Sequence, residues 1–320
     1  AGFYYKTKKS GNAGILVSYM CGDGIFYCKK GKIIQRRKGE VYDMKKKISL
    51  LLVLVLLTAS LLAGCSKGNE ANIDKKNSEV ESYSLEGIKN KGKIVLGTSA
   101  DYPPFETHVM VDGVDQIVGF DIELAKYIAD ELGVGLEIKD MDFDKLLGGL
   151  STGMLDIVIA AMNPSPERLE EANFTDIYYE SKHTVLIHKD NASSITTLED
   201  LNGKTIGVQL GTTQEKFATD MEGVEVLSLT SNPELVMNLK TKKIDCAIME
   251  EFVAKSFAKA NDDLMVVEGI SIDSGSEGVA IALKKGNKEL TEKLNEIIAD
   301  AKAKGLIENW FVEAFELYND

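Results

Sequence analysis

From Leu85 onward, short apolar runs alternate with stretches whose apolar residues recur at helical spacing, and this alternation restricts the fold more than any other feature. It is the pattern of an α/β fold with largely parallel strands. A strand is expected at 94–97, entered through Gly92-Lys93. A helix follows at 121–132, with Ile122, Leu124, Ala125, Ile128, Ala129 and Leu132 near one face and a stop at Gly133. Then come a strand at 136–138, a helix at 143–153 and a buried strand at 156–160. After a strand at 184–188 the order begins again, with a short helix at 198–201, strands at 205–208, 224–227 and 244–249, and helices at 213–220 and 232–241. A strand at 279–283 and a helix at 288–304 close the chain.

The two stretches echo each other. Gly92-Lys93-Ile94-Val95 matches Gly203-Lys204-Thr205-Ile206, and Asp156-Ile157-Val158-Ile159 matches Asp245-Cys246-Ala247-Ile248. Two similar α/β lobes are therefore expected: residues 85–184 and 278–320 forming lobe one, residues 185–277 lobe two. A strand leaving near Thr184 and another returning near Val279 would make a two-stranded hinge. Strand-end loops of both lobes would then face one cleft, the place where open α/β sheets bind ligands.

The chain ahead of the lobes reads differently. Residues 1–43 carry Cys21, Cys28 and the basic runs Lys29-Lys30-Gly31-Lys32 and Arg36-Arg37-Lys38, with no sustained period, and are expected to be an unstructured translated leader. Lys38-Gly39-Glu40 can be encoded by a stretch resembling a bacterial ribosome-binding site, a short distance before Met44. Met44 opens a cationic n-region, Lys45-Lys46-Lys47, and an apolar core too short to span a bilayer comfortably, which is the layout of a signal peptide at 44–64. The core ends in Leu62-Ala63-Gly64-Cys65, which resembles the lipobox of bacterial lipoproteins, and so implies cleavage before Cys65 and a lipid on its thiol. Residues 65–84, the lipidated cysteine and a polar stretch after it, read as a flexible tether.

Charge follows the same division. Residues 1–64 hold 12 Lys and Arg against 3 Asp and Glu, and the remainder 25 against 47, so the segments carry +9 and −22 within the total of −13. The acidic part disfavours nucleic-acid binding, which needs a basic surface. Cys246 alone follows Cys65, so no disulfide is expected in the folded part, and its apolar strand makes it a core residue rather than a nucleophile. His108, His183 and His188 lack the spacing of a metal site, and no metal or cofactor is expected. Phosphate-loop, nucleophile-elbow and DNA-reading motifs are absent from the sequence.

Four segments carry a resemblance: Tyr102-Pro103-Pro104-Phe105-Glu106, Gly119-Phe120-Asp121-Ile122-Glu123-Leu124-Ala125, Met162-Asn163-Pro164-Ser165-Pro166-Glu167-Arg168, and Gly211-Thr212-Thr213. In this order, behind a lipobox, they resemble the amino-acid-binding receptors of ABC importers, the extracellular solute-binding proteins of family 3, with the type II periplasmic-binding-protein fold. The resemblance places Arg168 on the arginine that grips the ligand carboxylate, a task suited to the two parallel hydrogen bonds of a planar guanidinium. Taken alone, Arg168 could equally be a solvated residue pairing with Glu171. The resemblance further implies that the Ala161 amide and the Asn163 side chain assist the carboxylate, although Asn163 departs from the commoner hydroxyl residue. Thr213 would add its backbone N–H at a helix N-terminus, where its alternative role is a cap.

Glu250 falls on the acid that meets the ligand ammonium, where many relatives have Asp, and adjacent Glu251 competes for that role. Tyr102 and Phe143 would flank the ligand side chain with aromatic surface, or else be core. Ser99 stands where some relatives that bind basic amino acids carry Asp, which weakens a strict basic preference. The expected ligand is a free polar amino acid: basic, glutamine or histidine, or cystine. The implied partners are an ABC permease and its ATPase, with the membrane reached through lipid on Cys65 and the receptor a monomer outside the cytoplasm. Alternatives are an enzyme on the same fold, resembling cyclohexadienyl dehydratases, and a ligand-sensing domain.

Overall fold

The computed structural model describes residues 83–319, residue 274 excepted, together with four short strands between residues 5 and 37. The signal core, Cys65 and most of the tether lie outside the described residues.

The four strands, Tyr5–Lys8, Leu16–Cys21, Gly24–Lys29 and Lys32–Arg37, pair consecutively and antiparallel within a unit of their own. This differs from the expected unstructured leader. Gly22-Asp23 and Lys30-Gly31 each separate two of these strands by two residues, a hairpin spacing that the basic runs obscured.

In the second unit, lobe one is a five-stranded sheet in the order Ala172–Phe174, Ala282–Lys284, Ile157–Val158, Lys93–Thr98, Gly135–Asp140. Its last three strands run parallel, and Ala282–Lys284 returns antiparallel to its neighbours. Lobe two repeats the arrangement in the order Glu225–Leu229, Thr205–Gln209, Cys246–Glu250, His183–His188, Leu264–Val266. The sequence echo has a physical counterpart. In lobe one Asp156 accepts the Val95 amide at 2.7 Å while its own N–H donates to the Val95 carbonyl at 2.9 Å. In lobe two Asp245 accepts the Thr205 amide at 2.9 Å and donates back to Thr205 at 2.9 Å. In each lobe an Asp therefore ties one strand, Lys93–Thr98 or Thr205–Gln209, to the start of its parallel neighbour, Ile157–Val158 or Cys246–Glu250.

The chain crosses between lobes at Tyr179–Glu180 and Gly278–Val279, which pair antiparallel. The expected crossing near Thr184 was late: the strand His183–His188 already belongs to the lobe-two sheet, and its apolar run Val185-Leu186-Ile187 overshadowed the two-residue hinge strand. Other elements escaped the sequence reading. Glu106–Val111 and Val114–Val118 form a hairpin, and the helices Glu251–Ala260 and Leu306–Asn319 cover the hinge. Tyr179 stacks on Phe311 at 4.4 Å, and Phe311 meets Phe252 edge-on at 4.8 Å, so the last helix joins hinge and lobe two through one aromatic block.

Gly278 has no room for a side chain, since an added Cβ would lie 2.1 Å from the Tyr179 carbonyl oxygen and 2.9 Å from the Glu180 Cα. Both obstacles are backbone and cannot swing aside. Gly278→Ala is expected to destabilise the protein by about 1–3 kcal/mol, read as a melting temperature several degrees lower by calorimetry. An unchanged melting temperature would show that the hinge strands separate freely.

Candidate functional site

The cleft between the lobes is lined by Ser99, Tyr102, Glu106, Phe143, Ala160, Ala161, Asn163 and Arg168 from lobe one and by Gln209, Thr212 and Gln214 from lobe two. Six expected site residues thus meet at one cavity: Ser99, Tyr102, Phe143, Ala161, Asn163 and Arg168. Thr213 and Glu250 stand one layer behind it.

Arg168 is delivered by a short helix, Pro166–Glu171, which starts with a proline at its first position and is capped by the Ser165 hydroxyl accepting the Arg168 amide at 3.4 Å. The guanidinium donates to the Asn163 carbonyl at 2.8 Å and, across the cleft, to the Gly211 carbonyl at 2.8 Å. It lies over the Phe143 ring at 5.1 Å. Of its five N–H donors two are used, leaving three for a carboxylate. Burial lowers its pKa to about 10, which leaves it charged at neutral pH. The pairing with Glu171 does not form; instead Arg168 turns into the cleft. Phe143 accordingly offers its face to Arg168.

Two expected contacts are already committed. The Ala161 amide donates to Asp121 at 2.7 Å, so it is not available to a ligand carboxylate. Ala161 sits at φ 44°, a region unfavourable for a residue with a Cβ, and the buried Asp121 holds it there. The Asn163 amide donates to the Gly278 carbonyl at 2.9 Å while its oxygen accepts from the Thr213 hydroxyl at 3.3 Å. Asn163 therefore links the lobes rather than presenting a free donor, because a carboxamide at this depth is used up by its neighbours.

Glu250 is 2% exposed and caps the helix Glu251–Ala260, with one carboxylate oxygen accepting from Phe252 at 2.7 Å and Val253 at 3.0 Å. Its other oxygen is buried without a hydrogen-bond partner. Burial pushes its pKa up to about 8, against the pull of the two amides. The Glu250 amide donates to the Tyr102 hydroxyl at 3.1 Å, which connects it to the cleft. Its rival Glu251 is bound to Lys255 on the exposed side of the helix.

Sequence reading missed Glu106, Gln209, Thr212, Gln214 and Ala160. Glu106 was visible within the Tyr102-Pro103-Pro104-Phe105-Glu106 run, but only the strand Glu106–Val111 turns it inward. It is 1% exposed, and its protonated carboxyl is a hydrogen-bond donor to neighbouring Asp121, with no other partner on either oxygen. Desolvation holds its pKa well above the ordinary range, and the charge of nearby Asp121 pushes the same way. Asp121 accepts from the Tyr178 hydroxyl at 2.9 Å, and burial lifts its own pKa to about 6. Among the described residues no group of three or more His, Cys, Asp or Glu is arranged to hold a metal. Cys246 is fully buried and its thiol pKa is pushed up to about 12, in keeping with a core role.

The sequence profile of the family described as "Bacterial extracellular solute-binding proteins, family 3" matches residues 94–315. The arginine-binding extracellular protein ArtP of Bacillus subtilis is 37% identical over 273 residues, 83% of this chain and 98% of that protein. The L-arginine-bound crystal structure of the amino acid ABC transporter substrate-binding protein AbpA from Streptococcus pneumoniae matches with a TM-score of 0.71 and 36% identity, covering 73% of this chain and 99% of that one. The ancestral amino-acid-binding protein AncCDT-1, described as a precursor of cyclohexadienyl dehydratase, matches with a TM-score of 0.66 and 32% identity, covering 72% and 99%.

A group whose folded pKa is raised favours folding below its unfolded value and loses that contribution as pH rises through the folded one. For Glu250 the window runs from 4.5 to about 8. Glu250→Gln keeps an oxygen for the helix cap but cannot ionise. In the ligand-free protein the variant should therefore gain melting temperature relative to wild type as pH rises across that window. A difference independent of pH would show that Glu250 ionises as freely as a surface carboxylate.

Proposed function

We propose, from the premise that the chain belongs to the bacterial extracellular solute-binding proteins of family 3, that it captures a basic amino acid outside the cytoplasm and delivers it to an ABC import permease. The observation that carries the choice of ligand is a charge count. The cleft is lined by one cation, Arg168, and one buried acid, Glu106, while a second buried acid, Glu250, stands behind it with one unpartnered oxygen and reaches it through the Tyr102 hydroxyl. A ligand that completes all three has one carboxylate and two cationic groups. Arg168 takes the carboxylate, and Glu250 takes the α-ammonium. Glu106 takes the side-chain cation, supplying the acid that Ser99 does not. Tyr102 contributes aromatic surface to the ligand's stem, and Thr213 adds its backbone N–H at the start of the helix Thr213–Asp220. ArtP and AbpA, with their arginine ligand, support the same choice.

Capture proceeds in order of charge. The open cleft receives the carboxylate on lobe one, and closure then brings Thr213 and Gln214 of lobe two, excluding water so that each ionic contact strengthens. The resulting closed surface is what a permease recognises. Met44 to Cys65 carries the export and lipid-anchoring signals of this reading, with residues 65–84 as tether, and the folded receptor acts as a monomer on the outer face of the membrane. The activity is binding; the acids of the cleft are matched to cations rather than arranged to move protons on a substrate.

A thermal-shift screen of the protein against the common amino acids, ornithine, cystine and prephenate tests this directly, since a ligand bound to the native state raises the melting temperature. The largest shifts are expected with L-arginine, L-lysine or L-ornithine. A shift with prephenate alone would overturn the receptor reading. Arg168→Ala should abolish binding of every amino acid, and Glu106→Gln should weaken basic ligands by about 2–5 kcal/mol with little effect on neutral ones. Because Glu106 and Glu250 are held protonated without ligand, binding of L-arginine at pH 7 should release protons. Calorimetry in buffers of different ionisation enthalpy measures the number, and a value of zero would contradict the assigned acids.

A further inference from the structure

His183 is 1% exposed, lies just past the hinge, and has both ring nitrogens engaged. The roles of the groups around it follow from a single carbonyl. The Gly278 oxygen can only accept, so the Asn163 nitrogen at 2.9 Å must face it, and the Asn163 oxygen must face the Thr213 hydroxyl at 3.3 Å. Thr213 spends its one hydroxyl proton on Asn163 and can only accept from the His183 Nε2 at 3.0 Å. That nitrogen therefore carries the ring proton, and Nδ1 is left as an acceptor for the Gln214 amide at 3.3 Å. The Gln214 nitrogen also donates to the Tyr102 hydroxyl at 3.3 Å. Donation thus runs in one direction, from Gln214 through His183 and Thr213 to Asn163 and Gly278.

We propose that His183 is a positioning residue for ligand capture, which acts through Thr213 and Gln214 to hold the ligand-receiving edge of lobe two against Asn163 and Tyr102 of lobe one. It does not line the cleft itself. Its part in capture rests on the amino-acid reading above; the wiring does not. The ring must stay neutral, because a proton on Nδ1 would meet the Gln214 amide donor head-on. Its surroundings keep it so. Burial lowers its pKa to about 4, the Arg168 guanidinium pushes the same way, and Asp273 opposes. Glu250, its register partner on the neighbouring strand, is itself held protonated near neutral pH. A neutral imidazole with one donor and one acceptor fits this place, whereas an amine or carboxylate would not.

Nitrogen NMR of the imidazoles tests the wiring in the ligand-free protein, where three histidines give three ring systems and the His183 signal is the one lost in a His183 variant. The expected signature is a neutral ring protonated on Nε2 that persists well below pH 6.5. A ring protonated on Nδ1, or one titrating near 6.5, would overturn the proposal. Stopped-flow release of L-arginine tests the positioning role. His183→Phe should speed dissociation about tenfold, as expected for losing one or two hydrogen bonds, while His183→Gln, with a donor and an acceptor of its own, should stay within about threefold of wild type. Thr213→Val interrupts the same chain one step on, should speed release similarly, and serves if His183→Phe does not fold. Wild-type release rates in both folded variants would also overturn it. Failure of wild-type protein to bind L-arginine would count against the amino-acid reading, with NMR still deciding the wiring.

Discussion

The Arg168 guanidinium donates to a carbonyl on each lobe, Asn163 on one side and Gly211 on the other. One cation thereby holds both walls of the cleft while keeping donors for a guest. Its position depends on a short chain of local causes. Ser165 and Pro166 start the helix that carries it, and the Phe143 ring supports its flat face. Asp121 fixes the strained turn at Ala161 from which the segment departs. Each of these is a local constraint, yet together they leave a buried charged group lining the cavity.

The acids show the complementary half of the same physics. A carboxyl group buried away from water and from any cation is held protonated, and burial does this at Glu106 beside Asp121 and at Glu250 against the pull of its two amides. In the proposed complex a cationic guest would reverse the balance by giving each acid a charged partner. Stability of the ligand-free protein and affinity for the ligand are then set against each other, since groups tuned for the complex are imperfectly satisfied without it. The aromatic block of Tyr179, Phe252 and Phe311 and the paired Asp156 and Asp245 anchors supply the compensating rigidity away from the cleft.

Much of the fold was legible because its signals are periodic. The helix Phe120–Leu132 announced itself by spacing and by Gly133, and the duplicated Gly-Lys and Asp segments marked the two lobes. The hairpin Glu106–Val111 with Val114–Val118 was not, since its residues are largely exposed and carry no apolar stripe. The same distinction separates the site residues. Arg168 and Phe143 were found through motif position. Whether a donor is free depends on three-dimensional neighbours, which is why the Ala161 amide and the Asn163 side chain were given to the ligand when they belong to Asp121 and Gly278. Glu106 lies in the Tyr102–Glu106 run, but its burial beside Asp121 is a property of the folded cleft alone. His183 was set aside as a metal ligand on spacing and given no other role, because a sequence shows the residue type and not its hydrogen-bond partners.

The central claim is that one cation and two buried acids define the guest. A crystal structure of the protein with L-arginine measures it most directly. The ligand carboxylate is expected on the Arg168 guanidinium, the α-ammonium within hydrogen-bond reach of Glu250 and the side-chain cation within reach of Glu106. A ligand bound with its carboxylate away from Arg168, or with both cationic groups far from Glu106 and Glu250, would contradict it.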